Sequence, residues 1–440
     1  MYLGIDIGTT SICAVVISKN GTLLHSVTEQ NTFGYANGAT RMQNADGIAK
    51  KCREICDTLN AQYPIQSIGV SGQMHGILYV DADGNALSPL YSWQDERGNL
   101  PAGDGSYAEQ LRALTGYPIS TGYGCCSLYY DMKNRAIPEN TAAFCTIGDY
   151  VAMQLCGRKT PLLNDTCAAS LGLFDLKARR WDDAAIRAAA LPRHLFPETT
   201  GEVAMLGKTP VGATVYTCIG DNQASVYGSV RDENAFLLNI GTGSQISVVS
   251  RQYVAPTVGE VRPYLNGAYL IAGCPLCGGY SYRLLKDFFA DVNSEITYDT
   301  MNAWALLALE AQEKGNCTVP DVRPTFRGTR EDPASRASIT GLSETNLRAP
   351  ALTLGVLKGI SGELKEFYTA FCALLGRRTQ AVGAGNAVRM NPAMRRVLRE
   401  DFGCEVFIPA HTEEASFGAA RAAAETYTGE NFSCWIQYQA

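Results

Sequence analysis

A carboxylate followed by a Gly-Thr turn opens this chain. Asp6 precedes Gly8, and the run Thr9-Thr10-Ser11 follows. The backbone N–H groups and hydroxyls of such a turn bind anions, and glycine lets a ligand approach the backbone closely. A carboxylate beside a bound phosphate needs a cation between them, and Mg²⁺ binds both carboxylate and phosphate oxygens. The phrase therefore predicts phosphate binding at Thr9, Thr10 and Ser11, with Asp6 as a metal ligand.

A second Gly-Thr turn lies half a chain later, at Gly241-Thr242-Gly243. An apolar run follows each turn, and an Asn-Gly pair then appears in both halves, as Asn20-Gly21 and Asn266-Gly267. One Gly-Thr hairpin is common and says little. Repetition of the whole pattern indicates two related domains, so we expect two phosphate-binding turns, one in each domain.

Two further phrases carry groups that suit a polyol acceptor. Gln73-Met74-His75 is bounded by glycines after an apolar run, and it offers an amide, a thioether and an imidazole. Gly220-Asp221-Asn222 also follows an apolar run. Asp221 suits either a helix N-cap or a general base that takes the proton of a hydroxyl during phosphoryl transfer. The residues alone leave these alternatives open, as they leave open a merely structural His75.

Apolar periodicity predicts the elements that position these phrases. In the first half we expect strands over 2–8, 12–18, 22–28, 67–71 and 77–80, and helices over 45–60 and 106–115. In the second half we expect strands over 235–240, 245–250, 268–272 and 380–384, and helices over 280–291, 297–313, 350–376 and 415–427. In each half, strands come first and then alternate with helices. This order predicts two α/β domains, the first over 1–217 and the second over 218–440.

Composition excludes several classes of protein. The 440 residues exceed the size of one core, and the net charge of −6 argues against a nucleic-acid partner. No apolar run approaches the ~20 residues that span a bilayer, so we expect a soluble, cytoplasmic protein with no membrane partner. The fifteen scattered cysteines predict reduced, mostly buried thiols, rather than zinc bound at Cys274 and Cys277.

The repeated turns, the Gly220-Asp221 phrase and Gly383-Ala384-Gly385-Asn386 resemble the actin-like ATPase superfamily and, within it, the FGGY carbohydrate kinases. Trp93-Gln94-Asp95-x-Arg97 is also similar to a phrase of that family. The resemblance implies an α/β fold of two actin-like, ribonuclease H-like domains around a nucleotide and sugar cleft.

The resemblance also implies roles for particular residues. Asp221 is expected to be the catalytic base and, with Asp6, a ligand of Mg²⁺. The sugar is expected to contact Gln73, Met74, His75, Trp93, Tyr123, Asp221 and Asn222. ATP is expected to contact Thr9, Thr10, Ser11, Gly241, Thr242, Gly243, Gly383, Gly385 and Asn386.

Short runs point to a branch of the family. Ser120-Thr121-Gly122-Tyr123-Gly124 resembles the sedoheptulokinases, and Gln73-Met74-His75 is similar to the sugar-binding phrase of ketose kinases such as xylulokinases and sedoheptulokinases. We therefore expect ATP-dependent phosphorylation of the terminal hydroxyl of a ketose, sedoheptulose first. A xylulokinase or another pentulose or polyol kinase is the alternative, and an actin-like ATPase without a sugar acceptor is a remote one. The sequence leaves the oligomeric state open, with a homodimer as one option.

Overall fold

The computed structural model describes residues 1–330 and 332–439, and the chain divides into two compact units. The first unit comprises Met1–Arg231, Arg262–Tyr269 and His411–Ile436. The second comprises Asp232–Val261, Leu270–Ala410 and the residues from Gln437 onward. Each unit has its own hydrophobic core.

The first half of the chain contains eighteen strands and seven helices. The strands are β1 Tyr2–Ile7, β2 Ser11–Ile17, β3 Leu23–Gln30, β4 Gly34–Asn37, β5 Thr40–Gln43, β6 Ser67–Gly72, β7 Leu78–Val80, β8 Leu90–Tyr91, β9 Pro101–Ala102, β10 Gly105–Ser106, β11 Ala143–Cys145, β12 Leu162–Asn164, β13 Phe174–Asp175, β14 Arg180–Trp181, β15 Glu198–Thr200, β16 Met205–Lys208, β17 Thr214–Tyr216 and β18 Ile219–Gly220. The helices are α1 Ala45–Gln62, α2 Tyr107–Thr115, α3 Gly124–Lys133, α4 Ile147–Cys156, α5 Asp165–Ser170, α6 Asp183–Ala188 and α7 Asp221–Ser229.

The described part of the second half contains eight strands and six helices. The strands are β19 Ala235–Ile240, β20 Ser244–Ser250, β21 Glu260–Pro263, β22 Tyr269–Gly273, β23 Asp321–Arg323, β24 Ser338–Thr340, β25 Gln380–Ala384 and β26 Val406–Phe407. The helices are α8 Gly279–Val292, α9 Tyr298–Glu313, α10 Ala349–Leu375, α11 Asn386–Arg389, α12 Pro392–Phe402 and α13 Glu414–Thr428. Short 3₁₀ helices lie at Arg97–Asn99, Arg193–Leu195 and Ser433–Trp435.

Five strands follow the same order in the two main sheets. In the first sheet this order is β3-β2-β1-β6-β17, with β16 beyond β17 and β18 also paired to β6. In the second sheet it is β22-β20-β19-β25-β26, with β21 beyond β22. In each sheet an antiparallel hairpin, β1–β2 or β19–β20, is followed by a parallel neighbour of its first strand, β6 or β25. The predicted internal repeat is therefore confirmed at the level of topology. The predicted strands and helices are also present, with ends that differ by a few residues.

Helix α13 explains why the first unit takes residues from the end of the chain. A Cβ atom added to Gly4 would lie 1.9 Å from the carbonyl oxygen of Ser416, and one added to Gly69 would lie 1.9 Å from that of Ala419. Glycine is thus required where β1 and β6 contact the helix. Gly4 is a packing residue, although it opens the phrase that leads to the Gly-Thr turn.

Helix α7 also packs on α13, through a second pair of glycines. A Cβ atom on Gly228 would lie 2.0 Å from the carbonyl oxygen of Glu414, and one on Gly418 would lie 1.9 Å from that of Ala224. Together with the pairing of β18 and β6, this contact places Asp221 in the first unit. The compact first unit continues to Arg231, past the sequence boundary predicted after residue 217.

In the described part of the chain, the cysteines are free thiols, and the helices are too short or too polar to span a membrane. All fifteen cysteines lie within the described residues as free thiols, and most are buried. Among those residues, no helix has the length and apolar character needed to cross a membrane.

Candidate active site

Asp6 and Asp221 lie at the ends of β1 and β18, two strands of the first unit that both pair with β6. Asp6 is paired with Ser71 in the parallel ladder of β1 and β6, and β18 pairs with β6 immediately before Asp221. The carboxyl ends of parallel strands are where α/β folds bind ligands. The Ser71 hydroxyl donates to Asp6 Oδ1 at 3.0 Å, and the Asn222 backbone N–H donates to Asp221 Oδ1 at 2.7 Å. Both carboxylates are therefore held in place by donors on their own unit.

The two carboxylates repel each other in a site of low polarity. Burial, together with the nearby charges of Asp221 and Glu413, raises the pKa of Asp6 to about 7, while the Ser71 hydrogen bond opposes the rise. Burial also raises the pKa of Asp221, whereas the positive charge of Arg262 lowers it. Buried like charges that supply only oxygen ligands fit a hard divalent cation, which would relieve the repulsion. Asp6 and Asp221 thus have the chemistry expected of Mg²⁺ ligands.

The predicted sugar phrase lies next to Asp221. A Cβ atom added to Gly220 would lie 2.6 Å from Met74 Sδ, so the thioether fills the space that this glycine leaves. His75 stacks on Tyr123 with ring centroids 4.7 Å apart and an interplanar angle of 19°. Its Nδ1 donates to the carbonyl oxygen of Ser170 at 2.6 Å, which fixes the ring orientation. The structure therefore brings Met74, His75, Tyr123 and Asp221 together in one unit.

The first Gly-Thr turn is joined to Trp93 and to a residue that sequence reasoning missed. The indole Nε1 of Trp93, a half-exposed side chain, donates to Thr9 Oγ1 at 2.8 Å. Gln43 Nε2 donates to the carbonyl oxygen of Thr9 at 2.9 Å, and Gln73 Nε2 donates to Gln43 Oε1 at 2.7 Å. Thr10 and Ser11 follow in the same turn, Thr10 exposed and Ser11 at the start of β2.

Other missed residues come from distant parts of the chain. Gln223 Nε2 donates to the carbonyl oxygen of Pro263 at 3.1 Å, in the segment that also carries Arg262. Glu413 is the residue immediately before α13 and adds a third negative charge near Asp6. No local pattern marks these residues in the sequence, because their role depends on two short segments that return to the first unit.

The second unit contains a cavity of about 1040 Å³ that includes part of the second turn. Four of the predicted ATP-binding residues line it: Gly241, Thr242, Gly385 and Asn386. Aromatic and polar side chains of α8 and α9 complete the wall, among them Tyr280, Arg283, Tyr298 and Asn302. Gly243 and Gly383 are not among the lining residues. A Cβ atom on Gly383 would lie 2.6 Å from Val388 Cγ1, so this glycine serves the packing of α11 on β25.

The N-terminus of α8 meets the second turn. Gly279 N–H donates to the carbonyl oxygen of Gly241 at 2.8 Å, and the Gly278 and Tyr280 N–H groups donate to that of Thr242 at 3.0 Å. A Cβ atom on Gly278 would lie 2.4 Å from the carbonyl oxygen of Gly243. Gly278-Gly279 therefore lets a helix N-terminus, which favours anions, approach the turn. The paired glycines before a helix were the available sequence signal.

One buried group combines possible metal ligands away from these residues. Within the described residues, ligand atoms of Asp149, Cys167 and Cys218 all lie within 4.8 Å of one another. The pKa of the Cys167 thiol is raised, and that of Cys218 is raised well above its ordinary value. Both thiols are free and buried, as expected for reduced, mostly buried cysteines.

Comparisons with known proteins identify the family of this chain. The model of the FGGY carbohydrate kinase N-terminal domain matches residues 1–235, and that of the C-terminal domain matches residues 236–427. The sedoheptulokinase of Mus musculus is 28% identical, with 95% of this chain and 96% of that protein covered. The sedoheptulokinase of Homo sapiens is 26% identical, with 91% and 92% covered.

A solved structure, the xylulose kinase from Rhodospirillum rubrum, superimposes with a TM-score of 0.86 at 19% identity and covers 100% of this chain and 93% of that one. The likeness supports the expected fold, in which each domain is actin-like, or ribonuclease H-like. Since the two family models together span nearly the whole chain, the protein belongs to the FGGY family of carbohydrate kinases and is an ATP-dependent carbohydrate kinase.

Proposed function

We propose that this kinase transfers the γ-phosphoryl group of ATP to the terminal hydroxyl of a ketose, with sedoheptulose as the first candidate. The observation that carries the proposal is the convergence of Asp221, Met74 and His75 beside the Asp6 carboxylate. Sedoheptulose is favoured because the two curated relatives described above are sedoheptulokinases and align over most of their length.

Asp221 accepts the proton of the attacking hydroxyl in this proposal. Its raised pKa makes the carboxylate a better base than an exposed aspartate, and the positive charge of Arg262 opposes the rise. Asp6 and Asp221 would hold Mg²⁺, directly or through water, and the ion would neutralise charge on the phosphate oxygens. Gln73, Met74, His75, Trp93, Tyr123 and Asn222 are proposed to orient the sugar.

ATP is proposed to use the cavity of the second unit. Gly385 and Asn386 offer backbone and amide groups to the adenine, while Gly241 and the Thr242 hydroxyl in the same cavity wall are proposed to contact the phosphates. Thr9, Thr10 and Ser11 are proposed to contact phosphoryl oxygens from the first unit. The cytoplasmic location expected from the sequence stays a prediction.

ADP release by the purified protein tests the proposal. The acceptors are sedoheptulose, xylulose, fructose, gluconate and glycerol, each compared with a reaction without acceptor. We expect strong stimulation and the highest kcat/KM with sedoheptulose. A higher kcat/KM with xylulose would assign the pentulose instead. ADP release that no acceptor stimulates would favour an ATPase without a sugar substrate and contradict the proposal.

A further inference from the structure

Gln43 is a buried glutamine with both ends of its amide engaged. Only 3% of its surface is exposed, and the same holds for Gln73, to which it is bonded. Gln43 ends β5, far in sequence from both of its partners. A buried amide bonded at both ends has one orientation, because a swap of its oxygen and nitrogen would break both bonds at once.

The direction of this chain of hydrogen bonds is set by the Thr9 carbonyl. A carbonyl oxygen only accepts, so Gln43 must present its NH₂ group to Thr9, at 2.9 Å. Its oxygen then faces Gln73, which must present its own NH₂ group, at 2.7 Å. The oxygen of Gln73 is left over. Among the described residues, Gln73 Oε1 is buried and has no hydrogen-bond partner.

An unpaired buried oxygen is costly unless a ligand satisfies it. The backbone of Gln73 is fixed as well, since its N–H donates to the carbonyl oxygen of Ile7 at 3.0 Å. The next residue, Met74, contacts Gly220, which directly precedes Asp221. The free oxygen therefore belongs to a rigid residue beside the proposed sugar site, and a hydroxyl of a polyol is the kind of donor that suits it.

We propose that Gln43 is a positioning residue that sets the polarity of Gln73, so that Gln73 Oε1 accepts a hydrogen bond from one hydroxyl of the sugar. The inference rests on the proposed function, since it requires a polyhydroxy acceptor at this site. It makes Gln43 a determinant of substrate specificity without contact to substrate. It also ties the same amide to Thr9, in the turn proposed to bind phosphate.

Two substitutions of Gln43 separate its two bonds. Gln43→Met has nearly the same shape but removes the acceptor for Gln73, so the Gln73 amide is free to turn. Gln43→Glu keeps an acceptor for Gln73 and, if protonated, also the donor for Thr9. Gln62→Met is the matched control, because Gln62 is exposed at the end of α1 in the same unit.

The measurement is kcat/KM for the preferred ketose and for each of its single-deoxy analogues. With wild-type protein we expect one analogue to react about 5- to 150-fold less well than the ketose, the usual effect of an unpaired buried group. Gln43→Met should lose most of that discrimination, while Gln43→Glu and Gln62→Met keep it. Gln73→Met alone should also lose that discrimination. Adding Gln43→Met to Gln73→Met should then cause no further loss.

Each outcome decides the matter. Full discrimination in folded Gln43→Met, or strictly additive effects in the double variant, would overturn the role of Gln43 while the proposed function stands. A wild-type protein that phosphorylates no polyol would remove both proposals. If Gln43→Met does not fold, loss of discrimination in Gln43→Glu would count against the inference, since that variant retains the acceptor.

Discussion

His75 shows how one side chain in this site is held. Its ring stacks on Tyr123 and its Nδ1 donates to the Ser170 carbonyl. We predict that His75→Ala raises the KM for the ketose about 5- to 150-fold, since sugar hydroxyls lose a partner worth about 1–3 kcal/mol. ADP affinity, measured by calorimetry, should not change, because the nucleotide is assigned to other residues. Equal weakening of ketose and ADP would refute this assignment of His75.

Thr242 tests the second turn in the same way. The turn is closed by backbone bonds from Gly278 and Tyr280 to the Thr242 carbonyl, and these bonds do not involve the hydroxyl. Thr242→Val should therefore fold normally. We predict a higher KM for ATP and an unchanged KM for the ketose in steady-state assays. Unaltered ATP affinity in the folded variant would exclude the hydroxyl from phosphate binding.

Glu363 is a half-buried residue of α10 with one buried carboxylate oxygen, and it lies outside the proposed sites. Burial and the charge of Glu366 raise its pKa to about 7, while Arg323 opposes the rise. The unfolded chain ionises this group at lower pH, so the group makes the folded state progressively less stable as pH rises from about 4.5 to 7. We predict that Glu363→Gln raises Tm relative to wild type at pH 8, and that the gain shrinks towards pH 5. A gain independent of pH would contradict the shifted pKa.

Helix α13 illustrates the element scale. Its Gly418 lies where α7 crosses, and an added Cβ would lie 1.9 Å from the backbone of Ala224. Backbone cannot yield as a flexible side chain can, so we predict that Gly418→Ala lowers Tm by several degrees or prevents folding.

Gly362 provides the matched control for that substitution. It lies inside α10 with no atom within 4 Å of an added Cβ. Gly362→Ala should raise stability by up to about 1 kcal/mol, as expected from helix propensity. Thermal unfolding followed by circular dichroism compares the two variants. Equal effects would show that the α7–α13 crossing tolerates a side chain.

Elements were predictable to different degrees. Short apolar runs located β1, β6 and β25, which are buried on both faces, and a period of 3.6 residues located α1, which buries one apolar face. The helix predicted over 106–115 is present as α2, and Ser106 and Glu109 form a capping box at its start. Short strands such as β9 and β10, of two residues each, carry no period and were not predicted. The role of Gly4 and Gly69 could not be predicted either, since it depends on a helix that comes some 350 or more residues later in the chain.

The site was predictable where motifs are local. Asp6, Met74, His75 and Asp221 were identified from short phrases, and the structure places them in one unit. Gln43, Arg262 and Glu413 were missed because tertiary packing alone brings them there. The absence of Gly383 from the cavity lining could not be predicted either, because a glycine that permits close packing looks identical in sequence to one that admits a ligand.

At the scale of the whole molecule, two sheets with the same central strand order carry different chemistry. The first unit presents the carboxylates and the proposed sugar residues, and the second presents the cavity beside the α8 N-terminus. The repeated fold supplies a Gly-Thr turn in each unit, while residues outside the repeat differentiate the two. Of all these residues, the proposed phosphoryl transfer to a hydroxyl depends most on Asp221, the proposed base.

Asp221→Asn tests the proposed role of Asp221 as the general base, with Asp183→Asn as the control. Both aspartates begin a helix, α7 or α6, but Asp183 is exposed and pairs with Arg193. The account predicts that Asp221→Asn lowers kcat for ketose phosphorylation by about 10²–10⁴-fold, the usual effect of losing a general base, with the fold intact. Asp183→Asn should retain wild-type kcat. A kcat near the wild-type value in Asp221→Asn would contradict the account, because Asp221 would then serve only the start of its helix.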